Sequence, residues 1–290
     1  MAQKSFSFDY ESGVVCRIPD TLKDDAVRES DQVVVDIDHA KREHEKYILT
    51  LRKLKINLLE LEADEEYPDC CFVEDIAVIH DGVALICKPK SPSRRGEVEV
   101  IKRVLSHDLG QHLVNIKDEN ALIEGGNVLF TGKEFFVGIS PRTNQAGALA
   151  LAKAFPDYNV ATIQISGCIH LKSLMSMAGP GIIAIGQSEE AKKALKQIVH
   201  KANHDYETVT LPDDEAANCL YVNRTLIHCT EDEFPESYKI FEDRFADRVR
   251  IALPNRELAK VQGSLTGRSL LVGKKRKNPN MDDYRNNKLK

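Results

Sequence analysis

The sequence predicts a single closed α/β propeller of five repeated units. A pattern of two short strands, a helix and a third strand recurs four times, at a period of about 40 residues. The segments left at the two ends, strand–helix–strand at the N-terminus and a lone strand at the C-terminus, together supply a fifth unit, and joining them closes a ring without open sheet edges. The composition is globular, with 42% apolar and 29% charged residues in a chain of 290, which excludes wholesale disorder and collagen-like structure. The alternative, a doubly wound α/β sheet, needs mostly single-strand βα units, and the hairpins argue against it.

The first elements are a strand from Val14 to Ile18, a helix from Asp38 to Lys53 and a strand from Ile56 to Leu61. The helix sets Ala40, His44, Tyr47, Ile48 and Leu51 on one face. The four full units follow, at about 72–116, 124–165, 170–212 and 218–254. In the first, Ile76–Ile79 and Val83–Ile86 flank Asp81-Gly82, a pair suited to a type I′ turn because both positions take positive φ. A helix from Glu97 to Leu105 and a strand from His112 to Ile116 complete it. In the second, Val128–Phe130 and Phe135–Ile139 flank Gly132-Lys133, before a helix from Gln145 to Phe155 and a strand from Asn159 to Ile165. In the third, His170–Met177 and Gly181–Ile185 surround an Ala178-Gly179-Pro180 turn. Ser188 is placed to cap a helix from Glu189 to Ala202, and Glu207–Leu211 closes the unit. In the fourth, Cys219–Val222 and Thr225–His228 flank Asn223-Arg224, before a helix from Glu236 to Phe245 and a strand from Arg248 to Leu253. Ser269–Gly273 is the strand left to complete the ring.

The boundaries that follow are an N-terminal extension over 1–12, one propeller domain over 13–273 and a basic tail over 274–290. Residues 274–290 hold seven Lys/Arg and two Asp, a net +5 against −5 for the whole chain. The body is therefore acidic, and the tail reads as disordered and solubilising. An acidic body offers no basic face beside the tail, so no nucleic-acid partner is expected. No run approaches the ~18 consecutive apolar residues needed to span a bilayer, so no membrane partner is expected either, and no secretory signal follows Met1. Seven scattered cysteines, Cys16, Cys70, Cys71, Cys87, Cys168, Cys219 and Cys229, fit a reduced, cytoplasmic protein. They form no CxxC, so no metal or other cofactor is expected.

In a ring, the segments leading into each unit meet at the axis. Here they are polar: Asp69, Glu74 and Asp75; Asp118, Glu119, Asn120, Glu124 and Asn127; Ser166 and His170; Asp213, Asp214 and Asn218; Gln262, Ser264, Thr266 and Gly267. Carboxylates converging on one cavity suit a cation, and a planar guanidinium matches paired carboxylates well.

The same segments carry a family resemblance. Pro68-Asp69-Cys70-Cys71-Phe72-Val73-Glu74-Asp75, Pro92-Ser93-Arg94-Arg95, Lys117-Asp118-Glu119-Asn120, Gly125-Gly126-Asn127-Val128-Leu129-Phe130-Thr131-Gly132 and Arg142-Thr143-Asn144-Gln145 resemble dimethylarginine dimethylaminohydrolase. So do His170-Leu171-Lys172-Ser173, Ser176-Met177-Ala178-Gly179-Pro180, Pro212-Asp213-Asp214 and Ala216-Ala217-Asn218-Cys219. The resemblance spans about residues 13–273 and implies the pentein propeller, the fold already read from the repeat. It also implies conversion of Nω,Nω-dimethyl-L-arginine or Nω-methyl-L-arginine to L-citrulline and a methylamine. A cysteine thiolate attacks the guanidinium carbon, a histidine protonates the leaving amine, and water clears the adduct. By resemblance, Asp75 with Asp69 and Glu74 takes the cationic end of the substrate, Arg94 and Arg142 clamp its α-carboxylate, His170 is the proton donor, and Val27 and Val261 line the amino-acid end.

The chain departs from the pattern at three positions. Where Gly-x-Leu-Thr-Cys is expected, the run is Gly263-Ser264-Leu265-Thr266-Gly267, so the nucleophile position is glycine. Gln262 and Asn127 stand where acids are expected. General acid catalysis alone supplies roughly 10²–10⁴-fold, whereas enzymes commonly need 10⁶ or more. The expectation is a protein that binds arginine derivatives with weak or no hydrolysis. The alternatives are an active enzyme with a relocated nucleophile, such as Cys168 or Cys219, and a scaffold for protein contacts. Ser264 and Thr266 are poorer nucleophiles, having no evident base.

Overall fold

A computed structural model describes residues 8–26 and 34–273. Val27 and the 274–290 tail, both singled out above, lie outside the described residues. The chain begins with β1 (Tyr10–Cys16), a short α1 (Leu22–Asp25), α2 (Ile37–Lys53) and β2 (Asn57–Leu61). The first full unit is β3 (Ala77–His80), β4 (Val83–Ile86), α3 (Glu97–Arg103) and β5 (His112–Asn115). The second is β6 (Val128–Phe130), β7 (Phe135–Ile139), α4 (Gln145–Ala154) and β8 (Val160–Gln164). The third is β9 (Met175–Gly179), β10 (Ile182–Gly186), α5 (Glu189–Lys201) and β11 (Glu207–Leu211). The fourth is β12 (Leu220–Val222), β13 (Thr225–His228), α6 (Pro235–Arg244) and β14 (Val249–Ala252). A short α7 (Arg256–Ala259) and β15 (Leu270–Gly273) close the described chain.

The strands form five three-stranded sheets. In four of them the middle strand pairs antiparallel with the strand before it and parallel with the strand after the helix. The fifth sheet obeys the same rule with strands from both ends of the chain: β1 pairs antiparallel with β15 and parallel with β2. The split unit read from the sequence is therefore present, and its strand starts at Tyr10 rather than Val14, with Tyr10 paired to Gly273.

The core is built at the joints between sheets. Each of five apolar clusters joins neighbouring sheets around one helix. Ile101 of α3 lies between Val14 and Leu270 of the split sheet and Ala77 and Ala84 of the next. Ala148 and Leu151 of α4 pack with Leu85, Phe135 and Val137. Ala191, Ala194 and Ile198 of α5 pack with Phe136, Ile163, Met175 and Ile183. Phe241 of α6, with Phe245 beyond it, packs with Ala184, Val209 and Leu226. Tyr47 and Leu51 of α2 complete the circuit against Val222 and Ile227. Five joints and five helices account for the roughly 40-residue period, because each unit needs its neighbour to bury its apolar face.

Two turns differ from expectation. The half of His170–Met177 nearer His170 is a 3₁₀ turn, Leu171–Ser173, and β9 starts only at Met175. The following turn is Pro180-Gly181, with Gly181 at φ +74°, the combination a type II turn demands. Asp81-Gly82, at φ +47° and +80°, has the expected left-handed pair. Among the described residues, no helix is long and apolar enough to cross a membrane.

Candidate functional site

A short 3₁₀ turn precedes the first strand of every sheet: Val73–Ile76, Gly125–Asn127, Leu171–Ser173, Glu215–Ala217 and Thr266–Arg268. This tight helix is used in short pieces as a connector. Three of these turns, ahead of β3, β9 and β15, bring flanking polar side chains together at the hub, while Asp214 and Asn218, beside the turn ahead of β12, line a neighbouring cavity. The hub cleft is lined by Asp69, Phe72, Glu74, Asp75, Arg94, Arg142, Ile169, His170, Val261, Gln262, Gly263, Ser264 and Gly267. Of the residues given a role by the resemblance or marked as departures from it, Asn127 is missing from this lining and Val27 lies outside the described residues; of the polar entry segments, Asp118, Glu119, Asn120, Glu124, Ser166, Asp213, Asp214, Asn218 and Thr266 do not line it either.

Asp75 is at its centre. Its Oδ2 accepts from Arg94 Nη1 at 2.6 Å, and its Oδ1 accepts from the Gly126 N–H at 3.0 Å and lies 3.6 Å from His170 Nε2. Burial works to raise this carboxyl, but the His170 and Arg94 charges outweigh it and bring it down to about 2. The backbone must approach closely here: a Cβ on Gly126 would sit 2.6 Å from His170 Nδ1.

His170 Nε2 lies 2.8 Å from Glu124 Oε2, and that oxygen also accepts from Arg142 Nη1 at 3.4 Å. Glu124 is completely buried and does not line the cleft; it stands behind the imidazole. It is the partner that the sequence reading left unassigned, although Glu124 stood among the polar loop residues. Asn127 does not contact the imidazole. Its Oδ1 accepts from the Leu171 N–H at 3.0 Å and its Nδ2 donates to the Ile169 carbonyl at 3.1 Å, so it fixes the backbone on both sides of His170.

The two arginines differ. Arg94 is buried, and its guanidinium donates to Glu97 through Nε (3.0 Å) and Nη2 (2.9 Å), to Asp75, and to the carbonyls of Asp69 and Phe72. Burial pushes the Glu97 carboxyl up to about 7, against the pull of the Arg94 charge. Among the described residues the Arg142 side chain makes only the longer Glu124 contact, so it keeps donors for a guest in the cleft it lines. On the far wall, Glu74 accepts from Lys172 Nζ at 2.5 Å and from Thr266 Oγ1 at 2.9 Å. Burial raises the Glu74 carboxyl and the Lys172 charge opposes it.

Gly267 borders the cleft beside these groups. A Cβ there would meet Ser264 Oγ at 3.3 Å and Phe72 Cδ1 at 3.8 Å, so a small side chain fits with a slight shift of the hydroxyl. The cysteines weighed as substitutes lie elsewhere. Cys168 lines a neighbouring cavity with Asp214 and Glu233. Its Sγ lies 3.4 Å from the His170 carbonyl, and burial raises its thiol to about 11. Cys219 lines a different cavity, with Ser176 and Tyr221. Ser264 Oγ accepts from the Gly267 N–H at 3.3 Å and lies 3.5 Å from Thr266 Oγ1.

Asp75, Glu124 and His170 offer ligand atoms within 4.8 Å of one another, spacing that a metal ion would accept. Arg94 and Arg142 hold two of these carboxylates from the other side, and such fixed cations oppose a metal guest. The donor set fits an organic cation better.

Comparison with known proteins agrees with this architecture. A family model for eukaryotic N,N dimethylarginine dimethylhydrolase matches residues 16–252. The human protein DDAH2 is 38% identical over 246 residues, covering 82% of this chain and 86% of its own. The N(G),N(G)-dimethylarginine dimethylaminohydrolase of Pseudomonas aeruginosa is 26% identical over 89% of this chain and 98% of its own. A solved structure of Pseudomonas aeruginosa DDAH, a cysteine-to-serine mutant complexed with citrulline, matches the fold with a TM-score of 0.76 at 24% identity, over 91% of this chain and 100% of that one. The N-terminal domain of ArgZ, a cyanobacterial arginine dihydrolase bound to substrate, matches with a TM-score of 0.77 at 15% identity, over 91% and 98%. With the pseudo-fivefold ring and a match over most of its length, the chain belongs to the dimethylarginine dimethylaminohydrolase family.

Proposed function

We propose that the hub cleft binds a free arginine derivative bearing a methylated guanidinium, and hydrolyses it weakly or not at all. The carrying observation is the pairing of an assembled Asp75–His170–Glu124 cluster with a glycine at position 267, in a cleft whose described lining contains no cysteine. Asp75 and Glu74 would face the guanidinium, and His170 would stand beside the departing amine. Arg142, rather than the saturated Arg94, would take the α-carboxylate. Arg94 then acts through Asp75, holding its carboxylate charged and in place.

Without a thiol, the remaining route is direct attack by water. That route loses the covalent step that divides the reaction into two easier ones. Relocation to Cys168 is disfavoured because its thiol borders the adjoining cavity and is pushed away from ionisation. The test combines two readouts on the wild-type chain with asymmetric dimethylarginine, thermal stabilisation and citrulline release. Stabilisation without citrulline supports the proposal. Citrulline that disappears in Cys168→Ala shows relocation, and neither signal supports a scaffold.

A further inference from the structure

Cys16 and Cys70 come from opposite sides of one cluster. Cys16 ends β1, and Cys70 sits in the turn that follows Tyr67. Their sulfurs are 3.6 Å apart and both residues are buried. Cys16 Sγ lies 3.4 Å from the Glu62 carbonyl and Cys70 Sγ lies 3.8 Å from that of Asp64. Cys71, the neighbour in sequence, is fully buried among Phe72, Leu258 and Val261 in a different cluster. A disulfide requires the sulfurs to close from 3.6 Å to about 2.05 Å.

We propose that Cys16 and Cys70 are an oxidative modification site, closing to an intramolecular disulfide when the folded protein meets hydrogen peroxide. The S–H of Cys16 donates to the Cys70 sulfur and draws the Cys70 thiol below its usual range, with burial opposing. Cys70 is therefore the attacking sulfur. Its thiolate takes one oxygen from the peroxide, giving a sulfenic acid and, after protonation of the released hydroxide, one water. Cys16 then attacks the sulfenyl sulfur, the S–S bond forms, and the Cys16 proton leaves with the hydroxyl as a second water. Two thiols lose two electrons and two protons, and one peroxide is reduced to two waters.

The bond has a consequence at the cleft. Cys70 directly follows Asp69, and the Asp69 and Phe72 carbonyls both accept from Arg94. Phe72 also packs beside position 267. A cross-link from Cys70 to β1 therefore restrains the turn that holds Arg94 and flanks the cleft. This inference rests on the Cys16–Cys70 pair and is independent of the ligand proposed above.

The test treats the folded full-length chain with a small excess of hydrogen peroxide after alkylating accessible Cys168, then quenches, digests without reductant and analyses by mass spectrometry. The expected result is an intact mass lower by two hydrogens, one cross-linked peptide pair joining Cys16 to Cys70, and reversal by dithiothreitol. Cys16→Ser should remove the cross-link and leave Cys70 as a sulfenic acid that dimedone traps. Recovery of both residues as free thiols, a Cys70–Cys71 linkage, or Cys70 sulfinic acid in the wild-type chain without the cross-link would each overturn the proposal. The wild-type mass measurement decides the matter even if the variant does not fold.

Discussion

Glu124 Oε2 lies 2.8 Å from His170 Nε2, with the carboxylate sealed from solvent. One oxygen thus orients the imidazole and also receives Arg142. Glu124→Gln keeps the volume and removes the charge. In a Gly267→Cys background, where turnover gives a readable signal, the citrulline rate should fall by about 10²–10⁴-fold, the range lost when positioned acid–base chemistry fails. An unchanged rate would remove Glu124 from the account.

Gly126 allows the backbone to pass against the imidazole, and a Cβ there would fall 2.6 Å from His170 Nδ1. Gly126→Ala should displace the ring, abolish ligand-induced stabilisation and cost about 1–3 kcal/mol, as overpacking does. Gly181→Ala is the control. Its Cβ meets nothing within 4 Å, but its φ is +74°, so it should lower Tm and leave the ligand response intact. Thermal melts with and without asymmetric dimethylarginine separate the two effects.

Arg94 neutralises two buried carboxylates and satisfies two carbonyls. Removing one partner of a buried ion pair leaves an uncompensated charge, at a cost of about 3–5 kcal/mol. Arg94→Ala should therefore lower urea-unfolding stability by that order, whereas Arg142→Ala should lose the ligand response with little change in stability. Equal stability losses would contradict the division of roles between them.

Acid should destabilise the fold in a defined window. Burial, aided by the Arg268 charge, lowers His44 to about 3, and burial with the Arg250 charge lowers His228 to about 4. As pH falls below about 6.5, the unfolded chain binds protons that the folded chain refuses, so stability declines until the folded-state values are reached. Each such group contributes a slope of up to about 1.4 kcal/mol per pH unit. Asp75, held near 2, adds a second loss below about pH 4 as its unfolded counterpart protonates. Glu97, raised to about 7, works the other way, because between pH 7 and about 4.5 the folded chain binds its proton and the unfolded chain does not. The imidazole contribution is therefore read by difference: in urea titrations at pH 7 and 5, His44→Gln should lose less stability on acidification than the wild type. An equal change in the two proteins would remove His44 from this account.

The ring was legible because its signals are local. Asp81-Gly82 marks a hairpin, Ser188 caps α5 through the Ala191 N–H, and the orphan strand at Ser269–Gly273 had only the N-terminal segment to complete. The gathering of Asp75, His170 and Gly267 in one cleft followed from the repeat, since each lies near the start of a unit, whereas Arg94 and Arg142, each between a hairpin and its helix, were named from the family resemblance. The role of Glu124 did not follow. The Gly-Gly-Asn run drew attention to Asn127, and only the packing shows that the carboxylate three residues earlier turns inward while Asn127 ties down backbone. The saturation of Arg94 was equally hidden, because Glu97 belongs to a helix whose facing direction is set by tertiary contacts. Arg268, which nothing in the sequence singled out, is completely buried, its guanidinium 4.6 Å from the Tyr47 ring centroid.

The central claim is that position 267 withholds the sulfur from an otherwise assembled site. The most direct measurement is citrulline release from asymmetric dimethylarginine by the wild-type chain and by Gly267→Cys, side by side. The account predicts release at or near background for the wild type and at least about 100-fold more for the variant, since the pocket accommodates the new Cβ and a thiol supplies the covalent step. Turnover by the wild type that Gly267→Cys fails to raise would contradict it.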